Sequence, residues 1–523
     1  MFDFVVVGAG SAGCVLANRL SADGKSTVCL IEAGGAKHRT FNVRAPVMYQ
    51  KLWRSPLDWG YSTVPQPHSA DRKHYWPRGK VLGGTSCLNA MVYIRGNRAN
   101  YDAWAIPGWS YADVLPYFRR SEDNVRGESE YHGAGGPLAV EDHAPSEFSK
   151  AFVAATAERC KVPITDDFNG AEQEGAGHYQ GTFRGGHRAS TAVAFLDPVR
   201  ERKNLTVITG ALAAGLVLDG TRVTGVRIRE RGAERVVAGR ETIVAGGALG
   251  SPHLLLLSGI GPAAELRGAG VEVRHELAGV GKHLQDHLLA GLVFESTGTP
   301  RFSVPRLLAG MVRHAFGGGA GQLGNAPIDA GAFVRSHPGK ALPDIQFHVT
   351  PYGAFLPTDD EIKLPWGRYG SILPGLIYPR SHGEVRLRSA DPAVGPEIDP
   401  RYFSDPADLE HLVAGMKLSR EIAATGTLAG LVGREIQPGP AVATDDDMRA
   451  HVRATANTIF HPTGTCKMGT DPLAVVDPQL RVHGLQGLRV VDASILPEII
   501  GGNTNAPVIM IAEKASELLL ADR

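Results

Sequence analysis

Phe2-Asp3-Phe4-Val5-Val6-Val7-Gly8-Ala9-Gly10-Ser11-Ala12-Gly13 opens the chain and decides its fold. The largely apolar run Phe2 to Val7 reads as a strand, and Cys14 to Leu20 reads as the helix that follows. A second apolar run, Thr27 to Ile31, ends on Glu32, nineteen residues after Gly13. Strand, G-x-G-x-x-G, helix, strand and acid in this order form the βαβ fingerprint of dinucleotide binding. Gly8 makes the tight turn, Gly10 lets backbone approach a pyrophosphate, and Gly13 lets the helix pack on the strand. The helix N-terminus offers unpaired N–H groups and a positive dipole end to the phosphates. Glu32 can accept hydrogen bonds from a ribose diol. A bare G-x-G-x-x-G is often only a glycine turn. The surrounding strands and acid favour a site, but do not say for which dinucleotide.

At 523 residues the chain exceeds one ordinary core, so two or three domains, or two interleaved ones, are expected. A hydrophobic content of 43% and a charged content of 21% are those of a globular protein. Lys+Arg and Asp+Glu balance at 54 each, which argues against a nucleic-acid partner, since phosphate binding needs local positive charge. Five scattered cysteines, with no C-x-x-C spacing, suggest reduced thiols and a cytoplasmic protein. The first strand begins at residue 2, so no signal peptide is expected ahead of it. No apolar run reaches the length of a bilayer span, which leaves peripheral membrane contact open.

Four further stretches carry chemistry. Pro77 to Met91 contains Gly83-Gly84-Thr85-Ser86, small enough to face an anion or a planar ring with backbone N–H groups. Glu241 to Ala248 reads as strand and turn, leading to a helix capped by Ser251, with Pro252 in its first turn. His461-Pro462-Thr463-Gly464-Thr465 follows an apolar Ile459-Phe460 pair. At the far end, Leu488 to Val491 is a strand ending at Asp492. Gly501 to Pro507 then leads into a helix with Val508, Ile511, Ala512, Ala515, Leu518 and Leu519 on one face. Between about 301 and 450 strands replace the glycine-loop-helix pattern, as a substrate-covering domain set into the chain would.

His461 is a candidate base, one of nineteen histidines. Asn505 and Asn503 can each be no more than a cap for the last helix. His283 and His287 stand i, i+4 like a helical metal pair. The glutamate of H-E-x-x-H is missing and no third ligand lies nearby in sequence, so a structural polar cluster is favoured and no metal is expected.

Taken together, these stretches make the chain similar to the glucose-methanol-choline (GMC) oxidoreductases, FAD-dependent alcohol dehydrogenases and oxidases. The likeness runs from residue 2 to about 520. It is carried by Gly79-Lys80-Val81-Leu82-Gly83-Gly84-Thr85-Ser86-Cys87-Leu88-Asn89 and by the long stretch Gly247 to Gly261, with Val280 to His287 as a further family motif. Wording such as Met91-Val92-Tyr93-Ile94-Arg95-Gly96 resembles bacterial choline-dehydrogenase-like and aliphatic or polyether alcohol dehydrogenases.

The resemblance implies an α/β fold: an FAD-binding Rossmann-like (βαβ) domain interleaved with an α+β substrate-binding domain on an antiparallel sheet. Residues 1–150, 190–295 and 455–523 are expected in the first, 151–189 and 296–454 in the second. It implies His461 as catalytic base and Asn505, 44 positions on, as its partner, with Asn503 as fallback. Flavin contacts would fall on Gly8, Gly10, Ser11, Ala12, Gly13, Glu32 and Ala33. Others would fall on Gly83, Gly84, Thr85 and Asn89, Ala90, Met91, Val92. Ala213, Asp492, Ala493, Asn503 and Thr504 complete the set, and Phe460 would wall the substrate pocket. Some relatives link FAD to a histidine at the position of Leu88, so dissociable FAD is expected here. The implied reaction removes the hydroxyl proton of a primary alcohol to His461 while hydride passes to flavin N5. Electrons would then go to a quinone, a redox protein or O2. An oxidase is the nearest rival. A hydroxynitrile lyase or photodecarboxylase of the same fold is a second, and an NAD enzyme would leave both long motifs unexplained.

Overall fold

The computed structural model describes residues 1–300, 303–316, 324–325, 327–351 and 367–522. The rest of the expected 296–454 segment lies outside the described residues.

The opening fingerprint folds as read. Strand β1 (Phe2–Val7) runs into helix α1 (Ser11–Leu20) and parallel strand β2 (Val28–Glu32). Val5 and Val6 are fully buried, as expected for a parallel strand covered on both faces. Strand β3 (Leu205–Thr209) extends this sheet beside β2. A meander follows, β4 (Ala211–Asp219), β5 (Arg222–Glu230) and β6 (Ala233–Val244), giving the order β3-β2-β1-β6-β5-β4. The long β6 does two jobs. Its first half pairs antiparallel with β5, and its second half pairs parallel with β1 and with Leu488–Val490 from the far end of the chain.

Helix α2 spans Gly247–Leu257, so it begins before the expected Ser251 cap. Pro252 therefore sits inside it and lacks the N–H that would reach Ala248. Thr465 Oγ1 donates to the freed Ala248 carbonyl at 2.6 Å instead. The misplaced cap and the threonine of the His461 motif are thus one repair.

Among the described residues the second sheet has nine strands, with β7 (Leu292–Ser296), β8 (Ala330–Val334), β9 (Ile345–Thr350) and β10 (Tyr369–Leu376) at its centre in the order β7-β10-β9-β8. These central pairs are antiparallel. On β9 the period of two is exact in its consequences: Ile345, Phe347 and Val349 enter the core behind the sheet, while His348 and Thr350 face a cavity between the two sheets. The chain closes with α3 (Asn505–Ala521), which packs against α1.

Two expected domain boundaries change. The cut at 295/296 falls inside β7, and Asn457–Thr458, placed with the first domain, pairs through Leu288–Leu289 into the second sheet. Sheet membership is decided by hydrogen-bond partners distant in sequence, and the apolar run through 288–294 carries no break that would mark it. Among the described residues, no helix is long and apolar enough to cross a membrane.

Candidate active site

A cavity of about 680 Å³ lies between the sheets, lined by residues from Val7 to Val508. One end is the cradle. A Cβ on Gly13 would lie 1.8 Å from the Gly8 carbonyl oxygen, so close helix–strand packing requires glycine there. Above Gly10 nothing stands within 4 Å of the same position, which leaves room for a ligand. The N-cap of α1 is Gly10, which has no side chain to satisfy the first-turn N–H groups. Glu32 accepts from Ala9 N at 2.9 Å and from Gly34 N at 2.8 Å, and burial pushes its carboxyl up to about 7.

Also in the cavity wall, Asp492 ties the C-terminal segment to the start of α2. It accepts from Gly247 N at 2.8 Å, from Ser251 Oγ and from Ser494 N at 2.8 Å. The Asn89–Met91 turn is held by Arg188, whose Nη1 donates to Asn89 Oδ1 at 2.7 Å. Met91 has φ of 64°, an uncommon conformation for a residue with a side chain, and it lines the cavity.

His461 lines the same cavity. Its backbone N–H donates to Asp286 Oδ1 at 2.8 Å, and Asp286 Oδ2 accepts from Tyr402 Oη and Thr458 Oγ1 at 2.5 Å each. Phe460 before it has φ of 67°, and its carbonyl accepts from Arg78 Nη2 at 2.6 Å. The ring is set by a relay. His287 Nε2 faces the Ile377 carbonyl at 3.0 Å and so carries the proton, since a carbonyl can only accept. His287 Nδ1 is then an acceptor, and His461 Nδ1, 3.0 Å away, must donate to it. The network therefore assigns the free lone pair of His461 to Nε2.

Asn503 Nδ2 lies 3.3 Å from that Nε2, and Asn503 Oδ1 accepts from Gln346 Nε2 at 3.1 Å, which fixes the amide's orientation. This corrects the expected pairing. Asn505 also lines the cavity, but its Oδ1 accepts from Ser11 Oγ at 2.7 Å, joining α3 to α1 in the cradle. Asn505 is the first residue of α3 and turns with the helix, whereas Asn503 lies before it in the glycine turn.

The other expected residues gather as follows. Gly8, Gly10, Ser11, Ala12, Glu32, Ala33, Gly84, Thr85 and Asn89 to Val92 line the cavity, with Ala213, Phe460, His461, Asp492, Ala493, Asn503 and Thr504. Gly13 and Gly83 do not. Gly13 packs behind Gly8, and Gly83 N donates to the Ala9 carbonyl at 2.7 Å, so both shape the wall without forming it.

Sequence reasoning missed His287, Asp286, Arg78, Gln346 and His348. His348 lines the cavity with both ring nitrogens buried and without hydrogen-bond partners, and burial holds its pKa down to about 4. One signal was available. All six residues of β9 are buried, so its alternating Gln346, His348 and Thr350 are buried polar groups that demand a purpose. His283 and His287 do not form a pair: His287 serves His461, while His283 Nε2 donates to the Pro497 carbonyl at 2.8 Å.

Burial first, then His287, His348 and Arg78, holds the pKa of His461 well below 6.5. A base works only when neutral, so loss of activity on acidification is displaced downward. The acid limb of kcat/KM against pH is therefore expected below pH 6.5. A limb centred above 6.5 would contradict this assignment of the base.

A dinucleotide cradle and a neutral, half-buried histidine share one cavity, the layout of a cofactor-dependent oxidoreductase. Comparison with known proteins agrees. The N-terminal GMC oxidoreductase domain matches residues 2–289, and the C-terminal GMC oxidoreductase domain matches 379–512. An alcohol dehydrogenase (acceptor) of Pseudomonas putida is 44% identical, over 99% of this chain and 96% of its own. The mitochondrial choline dehydrogenase of Homo sapiens is 41% identical, over 99% of this chain and 89% of its own. Among solved structures, pyridoxine 4-oxidase from Mesorbium loti superposes with a TM-score of 0.89 at 33% identity, covering 99% of both chains. The chain belongs to the GMC oxidoreductase family. The open space over Gly10, the uncapped α1 and the Glu32 carboxylate fit the FAD of this family.

Proposed function

We propose that this protein oxidises a primary alcohol to an aldehyde with non-covalently held FAD, His461 acting as base and Asn503 as its partner. One observation carries the reading: His461 Nε2, unprotonated, accepts from the Asn503 amide at 3.3 Å in the wall of the cavity, a contact that a substrate hydroxyl can take over. A hydroxyl placed between them accepts from Asn503 Nδ2 and donates to His461 Nε2. When bound, FAD supplies the acceptor for the hydride that leaves the carbinol carbon. As the proton moves to Nε2, Asn503 stabilises the charge developing on oxygen, and the nearby Arg78 guanidinium favours the same charge. His287 holds the ring in the reactive tautomer throughout. His348, unpaired in the same cavity, offers a further hydrogen bond to substrate.

The pocket supports a neutral alcohol over a quaternary ammonium. Trp53, Phe460, Tyr49 and Leu373 line the cavity with Arg78, whose charge reaches His461. A fixed cation repels a second one in so small a space. A panel of alcohols mixed anaerobically with the holoenzyme tests both points through loss of flavin absorbance. Straight-chain or aromatic primary alcohols are expected to bleach the flavin faster than choline, and faster bleaching by choline would reject the substrate class.

Reoxidation of the reduced enzyme by a quinone or a redox protein, in preference to O2, completes the proposed cycle. The likeness to a dehydrogenase named for its acceptor supports it, and stoichiometric peroxide during turnover would favour the oxidase reading. Leu88, at the family's covalent histidine position, offers no nucleophile. Acid precipitation is expected to release all yellow colour into the supernatant, and colour retained on the pellet would overturn non-covalent binding. The five free cysteines support a reducing, cytoplasmic setting.

A further inference from the structure

We propose that His283, His382 and Glu498 form a binding site for a divalent transition-metal ion, outside the cavity that holds the redox chemistry. The ligand atoms of the three side chains all lie within 4.8 Å of one another. His283 Nε2 is 3.3 Å from Glu498 Oε1, and His382 Nε2 is 3.9 Å from Glu498 Oε2. Two ligands held at 2.0–2.1 Å in tetrahedral geometry stand about 3.3 Å apart. The first distance meets that spacing, and the second needs only a small side-chain rotation.

His382 is already set as a ligand. Its Nδ1 faces the Arg380 carbonyl at 2.9 Å and so carries the proton, leaving a lone pair on Nε2. That Nε2 is buried and has no hydrogen-bond partner. A histidine whose second nitrogen donates to a backbone carbonyl is the usual arrangement at metal centres, because it fixes tautomer and ring direction. The two imidazole rings stand 4.5 Å apart, centre to centre, at 34°. His283 is held in place by its backbone, with φ of 59°. Its Nε2 donates to the Pro497 carbonyl, so metal binding breaks that hydrogen bond and shifts the ring proton to Nδ1. Among the described residues, the ion-pair partners of Glu498 are these two histidines, with no lysine or arginine competing for the carboxylate. Glu498 is 60% exposed, so a fourth position stays open to water and to the entering ion.

None of the three residues lines the redox cavity. They come from three separate segments: the loop ahead of Asp286 and His287, the loop after β10, and the approach to the Gly501–Thr504 turn. An ion here would clip together the segments that carry His287 and Asn503. Imidazole and carboxylate suit zinc, nickel, copper or iron, and Zn2+ is the probe.

The test is equilibrium dialysis of tag-free, flavin-loaded, chelator-treated protein against micromolar Zn2+, with metal analysis and a melting curve in parallel. One equivalent is expected to bind and to raise the melting temperature. Glu498→Gln, which keeps side-chain volume, and His382→Ala are each expected to weaken binding at least about tenfold and to abolish the melting shift. Binding well below one equivalent in the unaltered protein would overturn the site. So would binding that survives unchanged in both variants, because the ion would then sit elsewhere.

Discussion

His461→Ala is expected to keep FAD bound and to slow anaerobic flavin reduction by an alcohol at least about a hundredfold. The cofactor should stay because none of the cradle's hydrogen bonds reaches His461. The rate should fall because no other lone pair stands beside the Asn503 amide to replace Nε2. His287 Nδ1 loses its partner in this variant, but it stands behind the ring, 3.0 Å from His461 Nδ1, and does not line the cavity, and His287 Nε2 is committed to the Ile377 carbonyl. A hundredfold loss corresponds to about 2.7 kcal/mol of transition-state stabilisation. Stopped-flow bleaching at saturating alcohol reads the reduction step directly, ahead of any limit set by the electron acceptor. Bleaching at the rate of the unaltered enzyme would remove His461 from the reaction. His348 lines the same cavity, so a small residual rate that vanishes in the His461→Ala, His348→Ala pair would identify a weak substitute base.

Asn503→Ala is expected to slow the same step by about a hundredfold, in the range seen when one donor to a developing oxyanion is removed. Asn505→Ala should leave flavin reduction nearly unchanged and loosen FAD. The contrast follows from where each amide points. Asn503 Nδ2 lies against His461 and its Oδ1 is tied to Gln346, so the donor is aimed before substrate arrives. Asn505 accepts from Ser11 at the mouth of the cradle, where its loss removes a link between two helix N-termini. The pair of variants separates the two roles by two readouts, flavin reduction rate and flavin retention on dilution. Equal loss of rate in both, or loss in Asn505→Ala alone, would return the partner role to Asn505.

The local parts of this protein were legible from the chain alone. The cradle depends on neighbours in sequence: Gly8 turns, Gly13 packs on Gly8, and Glu32 ends the next strand. His461 was legible because its motif is short and contiguous. The relay behind it was not. His287 had been grouped with His283 by their spacing, yet the helix that spacing presumes does not form: residues 281–287 run as an irregular loop and the two rings face different partners. Gln346 and His348 reach the site from β9, more than a hundred positions before His461, through the alternation of a strand buried on both faces.

Asn503 and Asn505 mark the boundary most clearly. Residue counting from His461 favoured Asn505, but a count along the chain says nothing about where a turn points its side chains. Gly501 and Gly502 approach so closely that added Cβ atoms would lie 2.2 Å from Tyr378 Oη and 2.4 Å from Ile94 Cγ2. That packing seats the turn, and α3 then carries Asn505 round toward Ser11. The amino-acid chain alone identified the cofactor cradle, which rests on one short run, and through several contiguous motifs the family, whose resemblance in turn nominated His461. Only the tertiary structure decided which amide meets the base, which nitrogen of the base is free, and that three distant segments bring two histidines and a glutamate together. Those depend on distances between segments that hydrophobic burial and strand pairing set across the whole chain.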